Sequence, residues 1–156
     1  MNVGPLALLI LLLVGVTHVN AQTRVKTLHL SKSATVYALN CAACHGHSGR
    51  SSAEFPTLVN RIGYYTRRPE GRAYIAQVPG VAMSAISDRD LAEMLNWLLR
   101  AYSAEQLPID FKEYTGAEVA ALRQVSIIPR TRRKELIQSL LAAGQIPSAT
   151  ALEWAP

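Results

Sequence analysis

The strongest pattern of apolar and polar positions in this chain runs from Ser87 to about Tyr102. Apolar residues recur there at steps of three and four, which places them on one stripe of an α-helix. Ser87 followed by Asp90 supplies an N-cap and an acidic first turn, and the pattern breaks before Pro108. The stripe predicts a long helix packed on a core. Its core-facing residues are Leu91, Met94, Leu95, Leu98 and Leu99.

Weaker patterns predict the other helices. Residues 33–40 have helical spacing, with Ser33 as the N-cap. Thr115 and Glu118 have the spacing of a capping box, and residues 133–143 predict a helix that ends at Gly144. Between residues 48 and 85 the chain is rich in proline and glycine, so we expect loops there, with short helices near 58–63 and 71–77. The pattern predicts an all-α protein.

The N-terminal residues predict a targeting segment. Residues 6–16 are apolar but too few to span a bilayer comfortably, and Val19-Asn20-Ala21 resembles a cleavage site. We therefore expect a secretory signal peptide over residues 1–21. Because the first five residues contain no Lys or Arg, an uncleaved anchor is the alternative, and contact with a membrane is expected only in that case.

Charge narrows the class of partner. The chain has 16 Lys and Arg against 11 Asp and Glu, a net charge of +5. The basic residues are scattered, which argues against nucleic acid as a partner. Arginines outnumber glutamates between residues 46 and 80, so we expect a basic rim and a partner with an acidic docking surface. The arginines are Arg50, Arg61, Arg67, Arg68 and Arg72, and the glutamates are Glu54 and Glu70.

The most specific chemical signal is the segment 41–45, Cys-Ala-Ala-Cys-His, which holds the only two cysteines of the chain. Cys-x-x-Cys-His is the attachment pattern of a c-type haem. The thiols of Cys41 and Cys44 would each add to one vinyl group of the porphyrin, and the imidazole of His45 would bind the iron.

Three other interpretations of this segment are weaker. A thioredoxin-like dithiol needs a preceding strand, and the residues before Cys41 have the spacing of a helix instead. A disulfide would constrain almost no chain, and zinc lacks a second pair of ligands.

The haem iron needs a sixth ligand or an open position. Methionine sulfur is soft and stabilises ferrous iron. Met83 lies in a loop with proline and glycine, whereas Met94 belongs to the apolar stripe of the long helix, so we predict Met83 as the ligand. His47 follows His45 too closely to reach the opposite face, and His29 stays open as a competitor.

The order of these features resembles a class I cytochrome c over roughly residues 33–103. The resemblance rests on a helix, Cys-x-x-Cys-His-Gly, the pair Pro56 and Leu58, a methionine loop and a final helix opened by Ser-Asp-x-Asp-Leu. It implies an all-α, small cytochrome c-like helical domain around one covalent haem c with its iron. It also implies that the carbonyl of Pro56 accepts a hydrogen bond from Nδ1 of His45, which orients the ligand.

The resemblance does not reach residues 104–156. We expect three segments, which are a signal peptide (1–21), a cytochrome c domain (22–103) and a helical C-terminal extension (104–156). The run from Tyr64 to Arg68, with Arg61 and Arg72, has two interpretations. It either binds the haem propionates or forms a solvated loop.

The function implied by the resemblance is one-electron transfer. Haem c is attached outside the bacterial cytoplasm in this family, so we expect a periplasmic electron shuttle between redox enzymes. It is not expected to be an enzyme, because a haem with two axial ligands has no open site. Alternatives are a cytochrome subunit of a periplasmic dehydrogenase complex, docked through residues 104–156, an open-haem sensor or enzyme if Met83 does not bind iron, and a thiol-disulfide oxidoreductase.

Overall fold

A computed structural model describes residues 30–51 and 54–147, and in these ranges it contains helices and no strand. The predicted all-α class is confirmed. The predicted signal peptide and His29 lie outside the described residues. In chain order the helices are α1 (Lys32–Asn40), α2 (Ala42–His45), α3 (Ile62–Tyr65), α4 (Pro69–Gln77), α5 (Pro79–Ala82), α6 (Asp88–Ser103), a 3₁₀ turn (Ala104–Gln106), α7 (Gly116–Leu122) and α8 (Pro129–Ala142).

Helix α6 is the centre of the core, as its pattern predicts. Ser87 caps it by accepting a hydrogen bond from the Asp90 amide at 3.2 Å. Met94 is 1% exposed, so its thioether packs in the core. The predicted apolar stripe is buried along the whole helix. Its members are Leu91, Met94, Leu95, Leu98 and Leu99.

Helix α1 packs against α6 through aromatic rings. The ring of Tyr37 lies 5.6 Å from Trp97 and 5.3 Å from Tyr102, between ring centroids. The predicted N-cap at Ser33 is wrong. Ser31 caps the helix by accepting from the Ala34 amide at 3.2 Å, because Ser31 has the extended backbone that a cap needs whereas Ser33 lies inside the first turn.

The stretch from 48 to 85 is more helical than its composition suggests. Helices α4 and α5 both begin with proline at the first position, where the missing N–H costs nothing and the fixed φ suits a helix. Gly71 is required in α4, because a Cβ there would lie 2.0 Å from the carbonyl oxygen of Tyr65. Helix α3 occupies Ile62–Tyr65 instead of 58–63.

The C-terminal extension shares the core of the preceding helices. Helix α7 packs on α6 and α8 packs on α4. Thr115 caps α7 by accepting from the Glu118 amide at 3.1 Å, as the capping box predicts. Helix α8 begins at Pro129, earlier than predicted, again with proline at its first position. Val119 and Leu140 are fully buried, so the extension is part of the fold and not an appendage.

Candidate haem site

The two cysteines lie at the junction of α1 and α2. The Cys41 amide donates to the carbonyl of Tyr37 at 2.8 Å, which closes α1, and Cys41 also precedes α2. Both thiols are free, with Cys41 half-buried and Cys44 exposed. Burial raises the pKa of the Cys41 thiol, and the nearby Cys44 adds to this. The sulfurs are not joined, so the structure does not adopt the disulfide considered above.

His45 has the orientation that an axial ligand needs. Its Nδ1 lies 3.1 Å from the carbonyl oxygen of Pro56. Because that oxygen only accepts hydrogen bonds, Nδ1 carries the proton and the lone pair is on Nε2. Burial lowers the pKa of His45, against the opposing effect of the Pro56 bond, so the ring is held neutral. The ring of Phe55 meets it edge-on at a centroid distance of 5.9 Å.

The turn after His45 depends on glycine. Gly46 has φ +72°, and a Cβ on it would lie 2.5 Å from the Arg50 carbonyl oxygen. Its own carbonyl accepts a hydrogen bond of 2.7 Å from the Tyr37 hydroxyl. The Tyr102 hydroxyl donates to the His47 carbonyl at 2.9 Å. The aromatic cluster between α1 and α6 therefore fixes the backbone that carries His45.

Met83 ends helix α5 and is 83% exposed. Its thioether is an unusual group to leave in solvent, because a flexible apolar side chain is normally buried. The neighbouring Ser84 has a buried Oγ with no hydrogen-bond partner among the described residues. Met94 differs in that it is enclosed by the core.

These side chains fit a covalent haem. Two free thiols, a neutral imidazole with its Nε2 lone pair available, and an exposed thioether form the donor set that a c-type haem uses. The four residues are Cys41, Cys44, His45 and Met83, and their roles at a haem stay predictions. The described residues include no group of three or more His, Cys, Asp or Glu side chains arranged to hold a metal ion.

Residues 30–101 match the family model of cytochrome c. This part of the chain belongs to the cytochrome c family. The cytochrome domain therefore carries covalently bound haem c with its iron and serves electron transfer. Among curated proteins, the chain is similar to cytochrome c-552 of Thermus thermophilus, with 26% identity over 125 residues that span 66% of this chain and 95% of that protein. A second cytochrome c-552, from another strain of Thermus thermophilus, is also 26% identical, and 84% of its length is matched.

The arginines of the predicted basic rim are largely engaged by the cytochrome's own extension. Arg67 donates to the carbonyls of Gln106 and Gln145, both at 3.0 Å. The side chain of Arg72 is 17% exposed and pairs with Glu118. The solvated loop is therefore wrong for Arg72, and Arg68 pairs with Glu70. Arg50, by contrast, is exposed.

Sequence reasoning missed the residues that join the extension to the domain. Asn96 of α6 pairs with the backbone of Tyr114 through both ends of its amide, at 3.0 and 2.8 Å. Arg123, just after α7, binds the chain that follows Met83. Neither residue lies in a recognisable motif, because each partner is 18 or more positions away in sequence. None of the helices within 30–51 and 54–147 has the length and apolar character to cross a membrane.

Proposed function

We propose that this cytochrome is an exported one-electron carrier that shuttles between redox enzymes and performs no catalysis of its own. Cys41 and Cys44 would bind the haem through thioethers, and His45 and Met83 would be the axial ligands. Bound haem c supplies reversible one-electron chemistry at its iron.

One observation carries this proposal, the 3.1 Å contact between Nδ1 of His45 and the Pro56 carbonyl. It fixes the tautomer that presents Nε2 and makes the imidazole a stronger donor. The same bond limits rotation of the ring, so the ligand does not have to be oriented again in each redox state. A carrier benefits from such a rigid site.

We place the protein in the periplasm, membrane-bound only if its N-terminal segment is retained. The partner would present an acidic surface. The net charge of +5 and the exposed Arg50 beside the attachment turn support this, although fewer arginines face solvent than the sequence suggested.

Mass spectrometry of periplasmically produced protein tests attachment. From a host that matures c-type cytochromes, the chain should weigh one haem more than the polypeptide alone, and its N-terminus reports cleavage of the signal. The double variant Cys41→Ala/Cys44→Ala should have the bare mass. A wild-type chain with the bare mass would refute the proposal.

A second experiment tests the ligand. Met83→Ala should remove the long-wavelength absorption band that a ferric haem shows with a sulfur ligand, and it should lower the potential. Met94→Leu is the matched control, because a buried Leu replaces Met for less than about 1.5 kcal/mol. This variant should keep the band. A band that survives in Met83→Ala, or ready CO binding by wild type, would favour the open-haem alternative.

The extension gives one observation in favour of the alternative that this chain is a subunit of a dehydrogenase complex. Ile109, Val125 and Ile128 of the extension are exposed, at 108%, 51% and 73%. Because the extension contributes to the core, truncation would damage the fold, and surface variants are the better test. Co-purification with a larger enzyme that is lost in Val125→Ser/Ile128→Ser would support the alternative.

A further inference from the structure

Arg123 binds the segment that directly follows Met83. Its Nη2 donates to the Ser84 carbonyl at 2.8 Å and its Nη1 to the Ile86 carbonyl at 3.1 Å. Nη1 also lies 3.1 Å from Oδ1 of Asp88. The side chain is 17% exposed, so these charge-assisted bonds are shielded from water.

The base of this arginine is rigid. The amide of Arg123 donates to the Val119 carbonyl at 3.0 Å, and Val119 is fully buried. At the other end of α7, Gly116 lies so close to α6 that a Cβ would meet the Arg89 backbone at 3.3 Å. Helix α7 therefore holds the guanidinium at a fixed place beside the start of α6.

The methionine segment itself is held mostly by short-range contacts. The amide of Met83 donates to Pro79 at 3.0 Å and that of Ser84 to Val81 at 3.2 Å, both within α5 and its end. Within the described residues, the hydrogen bonds that reach residues 79–86 from a distant part of the chain come from Arg123. Gly80 has open space around it, since a Cβ at this position would meet nothing within 4 Å.

We propose that Arg123 is a positioning residue for the axial methionine, and that the C-terminal extension thereby sets how firmly Met83 holds the iron. This inference rests on the proposed ligation by Met83. Two carbonyls on one planar guanidinium fix the backbone just after the ligand, so the sulfur returns to the same place whenever the bond opens.

The consequence is a lower rate and extent of ligand opening. An added ligand such as imidazole competes with Met83 for the iron, and its apparent affinity rises when the methionine segment is loosened. Breaking the Arg123 contacts removes about one or two charge-assisted hydrogen bonds, each of which corresponds to a factor of about ten or more. The redox potential should fall as well, because sulfur ligation stabilises the ferrous state.

The test uses holoprotein with haem attached, in wild type, Met83→Ala, Arg123→Gln, Arg123→Lys and Glu118→Gln. For each we measure the long-wavelength band of the ferric form, imidazole affinity and potential. Arg123→Gln should weaken the band and bind imidazole at least about tenfold more tightly. Arg123→Lys, which keeps the charge but contacts fewer carbonyls, should lie between Gln and wild type. It replaces Gln if that variant does not mature.

Glu118→Gln is the control, because Glu118 belongs to the same helix and binds Arg72, not the methionine segment. It should keep the wild-type band and affinity while losing stability. Unchanged band, potential and imidazole affinity in Arg123→Gln would overturn the positioning role. So would equal changes in Arg123→Gln and Glu118→Gln, since these would indicate general loosening of the extension.

Failure of the underlying ligation gives a different result. A wild type without the band, or a Met83→Ala protein with an unchanged spectrum, would refute Met83 as the ligand before any arginine variant is compared, and the inference would fall with it.

Discussion

Arg72 of α4 holds Glu118 of α7 by two hydrogen bonds, from Nε to Oε1 at 3.0 Å and from Nη2 to Oε2 at 2.8 Å. The guanidinium also lies 4.1 Å from the centroid of the Tyr114 ring and donates to the Lys112 carbonyl at 2.6 Å. One arginine of the cytochrome domain thus binds the extension at three places.

This pair should contribute more to stability than the other ion pairs of the surface. Glu118→Gln should lower the free energy of unfolding by about 1 to 3 kcal/mol, because the mostly buried Arg72 loses its charged partner. Glu113→Gln is the control. Its pair with Arg100 is more than half exposed on both sides, and exposed pairs contribute at most about 1 kcal/mol. Urea unfolding followed by circular dichroism compares them, and equal losses would contradict the expectation.

The attachment turn should not tolerate a side chain at Gly46. Gly46→Ala combines a left-handed backbone with a Cβ 2.5 Å from the Arg50 carbonyl, a strain of about 1 to 3 kcal/mol. We expect a lower yield of haem-bearing protein, measured by absorbance per mass of purified chain. Gly80→Ala should mature normally, because open space surrounds that position. Equal yields would show that the turn has another conformation.

Stability should fall at alkaline pH. Burial raises the pKa of Tyr114, whose hydroxyl donates to the Arg72 carbonyl at 3.0 Å. A raised folded-state pKa means that this stabilisation is complete below the ordinary value of about 10 and is lost as the pH rises above it.

Tyr114→Phe should cost about 0.5 to 1.5 kcal/mol near neutral pH through the lost hydrogen bond. Its stability should fall less steeply than wild type above pH of about 10, because one ionising group is gone. Buried Tyr37 and Tyr65, whose pKa values are also raised by burial, leave a residual slope. Unfolding curves from pH about 7 to about 11 provide the comparison, and parallel curves for the two proteins would exclude Tyr114 as a source of the alkaline loss.

Electron exchange with anions should depend on Arg50. Arg50→Gln should lower the rate with hexacyanoferrate several-fold at low salt, and the difference should vanish at high ionic strength. Arg130→Gln changes the net charge equally at another exposed site, on α8, and should have a smaller effect. A similar loss in both variants would mean that net charge, and not a local rim, governs the encounter.

The contrast between Arg72 and Ser87 shows how much the sequence can predict. Ser87, Thr115 and the stripe of α6 were predictable because capping and helical periodicity act within a few residues. The His45 contact with Pro56 followed only from the resemblance, since an 11-residue separation leaves no local signal. The engagement of Arg67 and Arg72 could not be predicted, because a long cationic side chain looks the same in sequence whether its partner is solvent or a distant carbonyl.

The sequence by itself determined the chemistry of the site: two thiols and an imidazole within five residues define their cofactor, since the attachment is local and covalent. It also determined the helical class, through periodicity and caps. Only the tertiary structure decided that the extension shares the core, that most arginines between 61 and 72 bind their own chain, and that Arg123 lies beside the methionine segment. Those outcomes depend on which distant surfaces bury each other, and that is a property of the packed chain as a whole.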